Sequence, residues 1–104
     1  MRKTIFLLAL FVAHSVSAAS RLPNDVRIFV NNADACEHMA GECDSELPER
    51  RRREISEAIK KYCAPAKRQL PLLMEKYKAH PQILKTISKH AHDSVTSYTE
   101  SDAS

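Results

Sequence analysis

Asn24-Asp25-Val26-Arg27-Ile28-Phe29-Val30-Asn31-Asn32-Ala33-Asp34-Ala35-Cys36-Glu37-His38-Met39-Ala40-Gly41 is the stretch on which the fold turns. Its apolar residues Val26, Phe29, Val30, Ala33, Cys36 and Ala40 recur at the period of one buried helix face. Asn24 or Asp25, following Pro23, suits the N-cap, and Gly41 suits the position just past the C-terminus. The string Val26 to Val30 also permits an extended reading, with a shorter helix beginning at Asn32 or Asp34. Gly41 ends the element either way.

Toward the C-terminus, a polar connection from Glu42 to Glu46 leads to Ser45 as an N-cap candidate and to Pro48, which a first helical turn tolerates. A second helix then places Ile55, Ala58, Ile59, Tyr62, Cys63 and Ala66 on one face. Glu46 with Arg50, Glu49 with Arg53 and Glu57 with Lys61 are acid-first pairs at i, i+4. Pro65 and Pro71 are expected to break or kink the chain beyond Cys63, where Leu70, Leu73, Met74 and Tyr77 supply apolar surface. Met39 and Met74 read as core filler. A last helix begins with Pro81 at its first position and carries the stripe Ile83, Leu84, Ile87, Ala91 and Val95. His90 and His92 lie on it two apart, which on a continuous helix points them to different sides. The fold class predicted is all-α, a small bundle of three or four short helices over residues 20–95, with a frayed tail over 96–104.

Toward the N-terminus, Arg2 and Lys3 precede an apolar run from Ile5 to Ala13 and the small residues Ser15 to Ser20. This is the pattern of a secretory signal peptide over residues 1–19, cleaved after Ala18 or Ala19. The run falls well short of the roughly 20 apolar residues that cross a bilayer. The mature chain is therefore expected to leave the membrane and to reside in the periplasm or outside the cell. The first cysteine is Cys36, so no lipid anchor at the cleavage point is expected.

Removing Arg2 and Lys3 leaves 14 basic against 13 acidic residues, a nearly balanced mature chain. The charges are segregated, with seven acids and one base from Asp25 to Glu49, then twelve bases and three acids from Arg50 to Lys89. Four arginines at a helix N-terminus oppose the macrodipole, so the acidic segment is expected to lie against them. Acids interspersed around the Arg50 to Arg53 run, and the lack of interleaved aromatics, speak against nucleic-acid binding.

A chain this small buries only about 60% of its unfolded surface and gains much from a covalent tie. Cys36, Cys43 and Cys63 allow three pairings, each leaving one thiol over. In a tight hairpin turning near Cys43, Cys36 would lie about 10 Å and Cys63 about 30 Å from the turn, so a bridge between them needs another arrangement. Either the connection runs back along the first helix, or the second starts late and crosses steeply. Cys43 to Cys63 meets a similar difficulty, and Cys36 to Cys43 requires a broken helix.

Cys36, His38 and Cys43 form the densest cluster of potential ligands, giving a metal-handling role as one functional class. The spacing is unlike paired zinc motifs, and no cofactor motif or catalytic set accompanies it, so an enzyme is not expected. His38 and Glu42 could instead hydrogen-bond the Gly41 turn and the guanidinium groups of Arg51 and Arg52.

The elements Cys36-x-His38-x-x-Gly41-Glu42, Arg51-Arg52, Lys60-Lys61-Tyr62-Cys63 and Lys76-Tyr77 before Pro81 resemble a family of small exported bacterial helical proteins of uncharacterised function. The resemblance spans residues 26–87. It implies a Cys36 to Cys63 bridge with Cys43 as the spare, and it supplies no activity. Export, small size and a tied scaffold favour a second class of function, binding or inhibition of another exported protein through His38, Gly41, Glu42, Arg51 and Arg52.

Overall fold

The computed structural model describes residues 21–100; the expected signal peptide and the last four residues lie outside the described part. Four helices run in order, α1 over Asn24–Gly41, α2 over Glu49–Lys76, α3 over Pro81–Lys89 and α4 over Asp93–Thr96. No strand occurs among the described residues. The all-α reading holds, and the segment Val26 to Val30 is helical.

α1 buries the stripe written into its sequence, with Val26, Phe29, Ala33 and Cys36 all sealed from solvent. Pro23, not Asn24 or Asp25, occupies the N-cap position, and its carbonyl accepts the Arg27 amide at 3.0 Å. Gly41 is the last helical residue, and no described residue has a positive φ. The expected left-handed cap is absent because Glu42, still right-handed, closes the helix by donating its amide to Met39.

α2 lies antiparallel on α1. Asp25 meets Lys76 and Tyr77 at one end, Asn32 meets Gln69 midway, and Cys36 bonds Cys63, with 4.8 Å between their α-carbons. In this register Gly41 lies level with the region of Ile59, so the first turns of α2 extend past the end of α1 by roughly 14 Å. Residues 42–48 therefore run onward, ahead of α1. That overhang removes the obstacle a tight hairpin poses to the bridge, and neither of the two anticipated detours is used.

The prolines correct another expectation, since α2 continues through both Pro65 and Pro71. Pro71 is exposed and Pro65 half-buried, whereas the face turned to α1 carries Cys63, Ala66 and Leu73. The hydrogen bonds denied to the carbonyls of Lys61 and Lys67 thus fall outside the packed stripe, and burial holds the helix together across them. Pro48 stands at the N-cap position of α2 in place of Ser45.

The expected last helix is two helices. α3 ends at Lys89, and α4 restarts at Asp93 after a link made of His90, Ala91 and His92. Ile87 before the link and Val95 after it are fully buried, and Tyr98 is only 5% exposed. Lys67 Nζ donates to the carbonyls of Thr96 and Tyr98, fastening the end of α4 to α2. The frayed tail expected from Thr96 therefore fails at least as far as Tyr98, because the phenol supplies apolar area the small core needs. Met74 is exposed rather than filling the core.

Candidate functional site

Two imidazoles and one carboxylate converge where α1 meets the α3–α4 link. His90 Nδ1 lies 2.8 Å and His92 Nε2 2.9 Å from the same oxygen, Asp34 Oδ1. One ligand atom from each residue can be chosen so that all three lie within 4.8 Å of one another. The two rings meet edge to face, 6.0 Å between centroids.

The local structure explains the convergence. Asp34 follows the buried Ala33, one helical step of about 100° off the core stripe, which turns it toward the link. His90 caps the end of α3, its amide bonded to the carbonyls of Thr86 and Ile87. His92 caps the start of α4, its carbonyl accepting the amides of Val95 and Thr96 at 2.9 and 3.0 Å. Buried Ile87 and Val95, each three residues outside the pair, fix the link from both sides. On an unbroken helix the two rings would diverge by about 200°, the basis of the expectation that they face different ways. The break replaces that geometry and overturns the expectation.

Both histidine side chains are about three-quarters buried, at 22% and 26% exposure, while that of Asp34 is 49% exposed. Burial pushes the Asp34 carboxyl up, but the hydrogen bonds and positive field of His92 and His90 together outweigh it and hold the carboxyl below its ordinary value. For both rings to donate to Oδ1, His90 must carry its proton on Nδ1 and His92 on Nε2. Beside the cluster, Ser94 Oγ donates to Glu37 Oε1 at 2.6 Å, a further clamp between α4 and α1.

A second polar group closes the far end of the helix pair. Lys76 Nζ and the Tyr77 hydroxyl donate to the two Asp25 oxygens at 2.7 and 2.8 Å. The Lys76 hydrogen bond, against an opposing contribution from burial and with help from Tyr77, holds the Asp25 carboxyl low. Lys76 is correspondingly raised by Asp25. Beyond neighbours on one helix, this is the one Lys or Arg ion pair between the acidic and basic segments among the described residues. The arginine run is instead balanced locally, through Arg50 and Arg51 with Glu54 and Arg53 with Glu49. Of the three predicted acid-first pairs, only Glu49 with Arg53 forms among the described residues.

The residues singled out from the sequence are dispersed. Cys36 shares its sulfur with Cys63, so the trio Cys36, His38 and Cys43 offers no thiolate at Cys36, and Cys43 is free and exposed. Arg51 turns to Glu54, and Arg52 Nε donates to the Leu47 carbonyl at 3.1 Å. Neither guanidinium contacts His38 or Glu42, so the anticipated structural role for that pair is not realised. His38, Gly41 and Glu42 are exposed at the end of α1. Sequence reasoning missed Asp34, His90 and His92 because nothing near residue 91 announces a helix break; the chain leaves α3 through a turn at His90 and becomes extended at His92, which brings both rings to Asp34. Comparison with protein-family models, curated proteins and solved structures gave no match for this chain.

Proposed function

We propose that this protein is exported and binds a divalent late transition-metal ion at Asp34, His90 and His92. The observation that carries the reading is the convergence of two imidazole nitrogens and a carboxylate oxygen on one locus. Ligand atoms about 2.0 to 2.2 Å from an ion stand about 2.9 Å apart at right angles and about 3.4 Å apart in a tetrahedron. The two N to O distances, 2.8 and 2.9 Å, fall at that spacing, and with all three ligand atoms within 4.8 Å of one another the two rings close on the ion by side-chain rotation. Two imidazoles with one carboxylate suit zinc, copper, nickel or ferrous iron, and the Irving–Williams order puts Cu(II) first in affinity.

Binding exchanges protons for metal. The protons on His90 Nδ1 and His92 Nε2 leave those atoms, and each ring binds as neutral imidazole with its one remaining proton on the other nitrogen, so affinity falls as acid competes for the ligating nitrogens. Partly exposed ligands and open coordination positions suit an ion taken from and returned to solvent rather than a sealed structural site. Export is supported by the leader-like N-terminus and by the disulfide; no helix among the described residues is long and apolar enough to cross a membrane. The protein-binding surface inferred around His38, Gly41, Glu42, Arg51 and Arg52 rests on exposure alone, which carries less than a converged ligand set.

The test is calorimetry on untagged, chelator-stripped mature protein with Cys43→Ser, which removes the exposed thiol as a competing ligand. One equivalent of Cu(II) or Zn(II) bound by this protein and lost in both Asp34→Ala and His92→Ala supports the reading. Substoichiometric binding, or binding untouched by both substitutions, removes it.

A further inference from the structure

Building on that metal reading, we infer that His38 is a fourth ligand, closing onto the ion bound by Asp34, His90 and His92. Asp34 and His38 are four residues apart on α1, so they lie on one stripe of the helix, separated by about 40° of rotation and about 6 Å of rise. Helix side chains lean toward the N-terminus, which tips the His38 imidazole back over the turn that carries Asp34. The i, i+4 spacing is the one by which two side chains of a single helix share an ion.

His38 is also available. Its ring is exposed and makes no hydrogen bond, ion pair or ring contact among the described residues. Glu37, the other potential ligand on that turn, is held by Ser94 at 2.6 Å. That same bond sets the first turn of α4 beside Glu37, the residue before His38, while His92 meets Asp34 one turn earlier on α1, so His38 must reach back along the helix to join the ion. Of the remaining histidines in the described part, His80 lies beyond the end of α2, in edge contact with the Tyr77 ring. It faces the far end of the helix pair and cannot join. Three imidazoles and one carboxylate would complete a four-coordinate shell of the type that zinc and cobalt take up.

The experiment uses the untagged mature protein with Cys43→Ser, alone and with His38→Ala added. His38 has no partner to lose, so the substitution should leave the melting temperature unchanged. Co(II) serves as a spectroscopic probe and Zn(II) as the affinity probe. The expected result is an intense visible Co(II) band typical of four-coordination, lost in His38→Ala, with Zn(II) affinity weakened at least about tenfold, the lower end of what even outer-sphere changes cost. Long-range proton–nitrogen spectra should show the rings of His38, His90 and His92 shifting with Zn(II) while that of His80 stays. Stoichiometric binding with an unchanged Co(II) band and affinity in His38→Ala overturns the inference and leaves the three-residue site intact. Absence of binding by the parent protein overturns both.

Discussion

Asp34 Oδ1 lies 2.9 Å from His92 Nε2, joining residues 58 positions apart and setting the place where the C-terminal helix divides. His90 reaches the same oxygen from the other side of the division. The carboxylate thus gathers two rings that an unbroken helix would hold apart, so one contact serves both the chain path and the proposed ligand set.

Removing that carboxylate should loosen the joint without unfolding the protein. Two side-chain hydrogen bonds, discounted for the exposure of Asp34, are together worth about 1 kcal/mol, which lowers the melting temperature by about 4 to 8 °C in a domain of this size. The pH dependence has a definite sign. Asp34 has a folded pKa below its unfolded value of about 3.9, so its stabilisation is present above that value and is lost as pH falls through the folded pKa. Thermal melts of the parent and Asp34→Ala should differ at pH 5 and converge in acid below the folded pKa of Asp34. An equal gap at both pH values would show that the contribution is not that of the charged carboxylate.

The disulfide carries a larger share. The bridge spans a separation of 27 residues, and closing such a loop stabilises by about 3.5 kcal/mol on the chain-entropy model. Reduction, or Cys36→Ser with Cys63→Ser, should therefore lower the melting temperature by about 10 °C or more. Cys43 is the exposed free thiol, so alkylation of the unreduced protein should label that residue alone. Peptide mapping that finds label on Cys36 or Cys63 before reduction contradicts the pairing.

The legible part of the sequence is the part that repeats along one element. The α1 stripe announces itself because each of its buried residues lies three or four from the next. The register of α2 does not, since it depends on how far residues 42–48 run ahead, which their composition leaves open. The continuity of α2 through Pro65 and Pro71 is hidden for a different reason. The local rule counts the lost amide and the ring clash, whereas the outcome is decided by Cys63, Ala66 and Leu73 packing on α1. The link at His90 to His92 contains neither glycine nor proline, so its break makes sense only beside a partner 56 to 58 residues away.

Tyr98 tests the reassigned C-terminus. Its side chain joins the core cluster formed by Val26, Phe29, Ile87 and Val95, and its carbonyl accepts from Lys67. Truncating a buried aromatic to alanine costs about 3 to 5 kcal/mol, so Tyr98→Ala should be among the most destabilising single changes. Chemical denaturation is the appropriate measurement. A variant as stable as the parent would return residues from Thr96 onward to the frayed tail expected from composition.

Pro71 offers the opposite test, a gain. It is exposed inside α2 and leaves the Lys67 carbonyl without its helical amide donor. Pro71→Ala restores that donor and a good helix former, a change worth up to about 3 kcal/mol within the helix. The unfolded chain regains freedom that proline had removed, which takes back about 0.4 to 1 kcal/mol. The net expectation is a stabilisation of about 1 to 2 kcal/mol, with the amide that the substitution introduces at residue 71 protected from exchange. Pro65 is a poorer choice, because its neighbours Ala64 and Ala66 are buried and a shift there would disturb the packing beside Cys63. If Pro71→Ala destabilises instead, the ring is steering the last turns of α2, and the seating of Leu73 against α1 and of Tyr77 on Asp25 depends on the bend it imposes.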